Sequence, residues 1–403
     1  MNPTESKKPL SLEVLRNILE IDGISIRLNL ITKETEISGL PKEYNQEDLA
    51  NDLPILIYDR IKTSFFCNKD QICDLLKLIA GQNRYNPLDD LISGIRWDGQ
   101  DRIQDLFEIL GIENDSLSKT LLKKWLNMAW ALGHNSAQEP EGADGMLVLV
   151  GKQGIGKTTF VRKIAADRKL YKLGMYLDFR DKDLQRRATG AWITELAELE
   201  VTMRTDMERL KAFITSERDE TRLPYARADR KAARRTVFIG TCNSAQFLVD
   251  PTGSRRFWTI PVDSIDLERL SYFDGKQLWA QVEFLGRSEG YPFRLTTAEQ
   301  TALAKRNTIH ERPLKSQLEI EDILGDAAEN HSLYAWNYMS VSDFKAEYSS
   351  LTPYSVEQIG KALDRLGIPA ERKTVDGRQI RARKLPQRRW AIERLKKYSQ
   401  DTG

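Results

Sequence analysis

Apolar residues recur at spacings of three and four across residues 10–22 (LSLEVLRNILEID), the period of a helix with one buried face. Ile24, Ile26, Leu28 and Leu30 then alternate with polar neighbours. With a turn at 32–34 this predicts a β-hairpin over 24–38. Helical spacing returns over 46–80. Trp97-Asp98-Gly99 opens a turn, and 121–132 reads as a strongly apolar helix.

The polar stretch 138–142 (QEPEG) interrupts this pattern. Beyond it, Met146–Val150 (MLVLV) is a short continuous apolar run, the signature of a strand buried on both faces. Further strands are predicted at 192–194 and 236–240, with helical stretches between them. Strand–helix alternation of this kind argues for an α/β layer. The chain turns mostly helical after about residue 260 and breaks again at Arg312-Pro313. The expected domains are a mixed, mainly helical N-terminal α+β accessory domain (1–140), an α/β domain (141–312) and a C-terminal domain (313–403).

Composition narrows the function classes. With 403 residues and 40% hydrophobic side chains, the chain can bury substantial cores. Three cysteines (Cys67, Cys73, Cys242) and three scattered histidines (His134, His310, His331) offer neither a disulfide framework nor a zinc cluster. No run approaches the length of a membrane span, and the N-terminus has no apolar leader. A reduced, cytoplasmic-type protein is expected, with no membrane partner.

The strongest chemical signal is Gly151-Lys152-Gln153-Gly154-Ile155-Gly156-Lys157-Thr158, which fits G-x-x-x-x-G-K-[ST] between a predicted strand and a predicted helix over 159–166. Glycines let backbone N–H groups converge on phosphate oxygens, and the helix N-terminus adds positive potential. Gly151, Gln153, Gly154, Ile155, Gly156, Lys157, Thr158 and Thr159 are therefore expected to bind ATP. Lys157 would reach the β/γ phosphates, and the Thr158 hydroxyl would ligate Mg²⁺. The next strand runs into Glu195 and Glu198, the two candidates for the acidic group that holds Mg²⁺ or orients water; the residues alone do not divide those roles. The apolar strand TVFIG leads to Asn243, able to position water or bond a γ-phosphate. A Gly-Ser turn then presents Arg255 and Arg256, which could stabilise charge on a transferred phosphoryl group.

Two basic stretches stand out. Residues 222–235 contain six basic residues and one acidic one; Arg222, Tyr225, Arg227, Arg230 and Lys231 are candidates for phosphate contact and base stacking. Near the C-terminus, helices over 342–349 and 355–366 precede two strands flanking Asp376-Gly377, a hairpin signal. Helix, helix, hairpin is a winged-helix pattern. Residues 371–397 carry 11 basic and 3 acidic groups, an excess of +8 on a chain of net charge +2, so the remainder is net acidic. Arg372, Lys373, Arg378, Arg381 and Arg383 are the candidate DNA contacts there.

The segments GKQGIGKTT, WITELAELE, LKAFITSERDETRLPYAR, FIGTCN and FLVDPTGSRRFW, with RWDGQDR upstream, resemble the virulence-associated E family, whose ATPase domain is similar to superfamily III helicases. The resemblance covers residues 86–311. It implies an AAA+-like ATPase from phage, plasmid or genomic-island replication modules, forming a hexameric ring with ATP between subunits. By position it makes Glu198 the family's acidic strand residue and metal ligand, with Glu195 beside it. It makes Asn243 the sensor 1 residue, Arg255 or Arg256 the arginine finger, and 222–235 the DNA-contacting hairpin. An adjacent Asp-Glu pair is missing, which leaves the roles of Glu195 and Glu198 open. The N-terminal segment shows no paired-aspartate metal pattern, so no primase activity is expected, and a separate primase or other replication protein is the expected partner. The expectation is an ATP- and Mg²⁺-dependent translocase or helicase on single-stranded or forked DNA. The rivals are a nucleotide-switched DNA-binding initiator and a small-molecule P-loop kinase, the latter disfavoured by the basic stretches.

Overall fold

The computed structural model describes residues 7–40, 49–197, 199–221, 230–244, 246–248, 254–311, 313–375 and 377–389. The chain divides into two compact units, Met1–Glu311 and Arg312–Gly403.

The first unit is built on a five-stranded sheet. Its spatial order is Phe257–Pro261, Met146–Val150, Val237–Cys242, Ile193–Leu196, Tyr171–Met175, and every neighbouring pair is parallel. Alternation along the strands sends their side chains to opposite faces. Leu147, Leu149, Ile193, Ile239 and Trp258 enter one core, while Met146, Val148, Val150, Phe238 and Phe257 enter another. This double covering explains why MLVLV is apolar throughout.

On the first face lies the helix Ser116–Gly133, and four tryptophans anchor it and its neighbours. Trp125 Nε1 donates to the Phe238 carbonyl at 3.0 Å, Trp192 Nε1 to Ala129 at 2.7 Å, and Trp279 Nε1 to Ile164 at 2.6 Å. Trp130 stacks on Trp279 with centroids 6.1 Å apart. Buried indoles satisfy their N–H groups in this way while contributing large apolar area. Residues on both sides of the 138–142 break share this core, because Leu88, Leu106, Leu121 and Leu132 pack with the sheet residues. A separate cluster, from Leu10 to Ala80, holds helices Leu12–Ile21, Leu49–Ile61 and Lys69–Gln82 together. The predicted helical stretch 46–80 is thus two helices, split around a short strand at Phe65–Phe66. The predicted hairpin is present: Ser25–Asn29 pairs antiparallel with Thr35–Ser38.

The second unit packs helices Lys315–Glu329, Val341–Glu347 and Val356–Arg365 over a three-stranded antiparallel sheet. Its order is Tyr334–Met339, Arg378–Arg388, Glu371–Val375. Ile320, Phe344, Leu351, Ile359, Leu363 and Leu385 fill the core. Ser355 and Gln358 form a capping box on the last helix. Among the described residues no helix is long and apolar enough to cross a membrane.

Candidate functional site

The site forms where the parallel strands end. Met146–Val150 runs into the glycine-rich turn, and helix Lys157–Ile164 leaves it. Gly156 sits at φ 101° as the N-cap, and a Cβ there would lie 2.5 Å from Leu267 Cδ2, so only glycine fits without displacement. The cap makes no side-chain hydrogen bond. The first N–H groups of a helix have no intrahelical partner, which suits a helix start to an anionic acceptor.

Lys157 is 7% exposed. Its ammonium donates to the carbonyls of Gly151 (2.7 Å) and Lys152 (2.8 Å) and to Asn243 Oδ1 (2.9 Å). The Thr158 hydroxyl donates to Glu195 Oε1 at 2.7 Å. Glu195 is fully buried and also accepts from the Thr241 hydroxyl (3.1 Å) and the Gly174 N–H (3.2 Å). Thr241 and Asn243 stand at the end of Val237–Cys242, the strand inserted between Met146–Val150 and Ile193–Leu196. Parallel register therefore brings lysine, hydroxyl, carboxylate and amide to one end of the sheet.

A cavity of about 350 Å³ opens there, and its lining includes Gln153, Gly154, Gly156, Lys157, Thr158, Thr159, Ala197, Thr241 and Asn243. Gly151 and Ile155 support it from outside. A Cβ on Gly151 would lie 2.1 Å from the Val262 carbonyl oxygen, and Ile155 packs against the main core. Cation, helix N-terminus and glycine turn favour a polyanion; hydroxyl plus carboxylate are the hard oxygen donors that suit Mg²⁺. Sequence reasoning missed Thr241 and Gly174, whose roles depend on strand register, although the apolar-to-polar change at Thr241 marked the strand end.

Other candidate residues fall elsewhere. Glu198, Arg222, Tyr225 and Arg227 lie outside the described residues. Arg230 and Lys231 belong to strand Arg230–Ala233, which pairs antiparallel with Arg218–Thr221; exposed Lys231 bonds Glu220 across it at 2.9 Å. The expected basic run is smaller than its sequence implied, because Arg234 and Arg235 are buried. Arg234 pairs with Asp219, and Arg235 donates to the Asn135 carbonyl at 2.6 Å; burial lowers the pKa of Arg235. Arg255 and Arg256 occupy a short turn, Ser254–Arg256, pinned by Asn307 Nδ2 donating to the Ser254 and Phe257 carbonyls. Phe257 is in register with Met146, so this turn lies at the end of the sheet opposite the glycine turn of the same chain.

In the second unit Arg372, Arg378 and Arg381 are exposed. Lys373 bonds Glu371 at 3.0 Å and sits 4.6 Å from the Tyr338 ring centre. Arg383 is a correction to the expected DNA contacts: it is buried and bonds Asp364 and the Ile368 carbonyl, which makes it a structural residue.

A parallel sheet with a glycine turn at its carboxyl edge, beside a lysine and a buried carboxylate, defines an α/β protein. Residues 91–312 match the family described as Virulence-associated protein E-like domain, and the chain belongs to that family. Among solved structures it is similar to "The apo structure of NrS-1 C terminal region (305-718)" at 14% identity and TM-score 0.53, covering 94% of this chain and 100% of that one. A second structure of that region, "The A form apo structure of NrS-1 C terminal region-CTR", aligns at 13% identity and TM-score 0.51 with the same coverage. The shared feature is the fold. No curated protein matches the chain.

Proposed function

We propose that the first unit is a P-loop ATPase core of AAA+-like arrangement and that the protein is an ATP-dependent DNA translocase or helicase serving replication of a mobile genetic element. The observation that carries this reading is the joint placement of Lys157, Thr158 and Asn243 around one cavity at the carboxyl ends of parallel strands, with the buried Glu195 accepting from Thr158 behind its wall. Gly154, Gly156 and the N-terminus of helix Lys157–Ile164 would cradle the phosphates of ATP, with Lys157 exchanging carbonyl partners for phosphate oxygens. Thr158 and Glu195 would hold Mg²⁺, which supplies charge neutralisation for phosphoryl transfer when bound. The 2.7 Å contact between their oxygens supports Glu195 for that place. Glu198, three residues on, is then left to orient water, and Asn243 to fix the γ-phosphate end. Arg255 and Arg256, remote from their own chain's cavity, are suited to completing a neighbour's site in a ring. The test is Mg²⁺-dependent ATP hydrolysis with and without single-stranded DNA, together with displacement of a strand from a forked duplex. Hydrolysis unmoved by DNA, with no displacement, would sink the proposal.

The second unit favours an additional reading. Its order of helix, strand, two helices and two strands is that of a winged helix, with exposed Arg372, Arg378 and Arg381 on the terminal hairpin. A nucleotide-switched initiator would use it to hold a specific duplex sequence. Footprinting at a defined site without strand displacement would favour that reading over a processive motor.

A further inference from the structure

A buried ion cluster ties the N-terminal hairpin to the root of the basic hairpin. The turn after strand Ser25–Asn29 is closed by Asn29 Oδ1, which accepts from the N–H groups of Ile31 (2.9 Å) and Thr32 (3.1 Å). Ile31, fully buried, enters the core of the sheet. Lys33 follows in the left-handed region at φ 65°, a conformation that non-glycine residues disfavour. Its ammonium bonds Asp219 Oδ2 and donates to the Thr189 carbonyl at 3.0 Å. Asp219 Oδ1 accepts from Arg234 Nε at 2.7 Å, and the Arg234 guanidinium lies 4.5 Å from the Phe213 ring centre. The side chains of Asp219 and Arg234 are 3% and 5% exposed.

These positions matter because of what they join. Asp219 lies on strand Arg218–Thr221, paired with Ala232 one step from the root of the hairpin. Arg234 directly follows the hairpin's other strand. Three residues further on begins Val237–Cys242, whose far end carries Thr241 on Glu195 and leads to Asn243 on Lys157. One carboxylate therefore links two cations in a site where an unpaired charge is costly, and the hairpin root is fastened at its junction with the strand that ends at the proposed ATP site.

We propose that Lys33 is a positioning residue that sets the direction of the basic hairpin and so couples nucleic-acid contact to ATP turnover. This rests on the function proposed above. The experiment uses the full chain with Lys33→Met and Lys33→Arg, measuring ATP turnover against single-stranded oligonucleotide concentration. Lys33→Met is expected to keep its basal turnover, while stimulation falls about fivefold and half-saturation moves to higher DNA concentration. Lys33→Arg is expected to restore both. Stimulation of Lys33→Met equal to wild type overturns the inference.

If wild type shows no stimulation, the functional reading fails and hydrogen exchange decides the positioning role. Amides of 218–221 and 230–233 should then exchange about tenfold faster in Lys33→Met, while those of 237–242 stay unchanged. Equal exchange in both proteins overturns it. Exchange quickened throughout the sheet, or lost basal turnover, shows a general role in folding and overturns it as well.

Discussion

The Lys157 ammonium donates to the Gly151 and Lys152 carbonyls and to Asn243 Oδ1 and sits at a cavity wall. Lys157→Ala should abolish ATP turnover, a loss of at least about 100-fold, with little change in melting temperature because the vacated space joins the cavity. Wild-type turnover in that variant would mean another group holds the phosphates. Glu195 differs, because its carboxylate accepts from three donors in a dry position. Glu195→Gln places an NH₂ against one of those donors and should cost about 1–3 kcal/mol of stability. It should also raise the Mg²⁺ concentration needed for half-maximal turnover; a melt and a Mg²⁺ titration read the two effects separately. At this scale the glycine turn was legible in sequence because every residue of it is local. The contact of Glu195 with Thr158 was not, since only the order and register of the parallel strands bring the two together.

Elements were legible where their environment is uniform. Met146–Val150 is buried on both faces and reads as a continuous apolar run. Tyr171–Met175, at the sheet edge, carries Gly174 at φ 65° and an irregular pairing between Lys172 and Met175, so it shows no clear period. Tyr334–Met339 was hidden for a related reason: Trp336 and Asn337 are exposed on a strand whose two end residues alone are buried. Gly151→Ala tests how closely elements pack beneath the turn. Its methyl would meet the Val262 carbonyl, and strain of about 1–3 kcal/mol is expected, read as a lower melting temperature with weakened nucleotide affinity.

Asp115 tests a helix end. It caps Ser116–Gly133, accepting from Ser118 N–H at 3.1 Å and the Ser118 hydroxyl at 2.6 Å, and pairs with both oxygens on Arg306. Burial alone would raise its pKa; the Ser118 bonds and Arg306 outweigh that and lower it. A lowered carboxylate stabilises the fold above its unfolded pKa of about 4 and loses that contribution as pH falls through the folded value. Asp115→Asn should therefore cost about 1 kcal/mol at neutral pH and flatten the acid limb of stability below about pH 4. An unchanged acid limb in urea melts would remove Asp115 from this role.

The whole molecule poses a problem of distance that one chain cannot solve. Strand Phe257–Pro261 runs parallel to Met146–Val150 in full register, so Arg256 stands one strand length, roughly 16 Å, from the glycine turn that follows Val150. Neither arginine can serve the phosphates of its own chain across that span. A head-to-tail contact would set one protomer's arginine turn against the next one's cavity, and repetition of such a contact would build a ring where its rotation closes. Lys157→Ala and the double variant Arg255→Ala/Arg256→Ala should each be inactive alone. Mixed in equal amounts they should regain turnover, because a chain with Lys157 intact then meets a neighbour with both arginines intact. Random mixing gives about a quarter of the interfaces this composition, so activity should rise towards about a quarter of wild type. Specific activity should also climb with protein concentration as the ring assembles. If the mixture stays silent while each variant assembles normally, the arginine turn does not complete a neighbour's site.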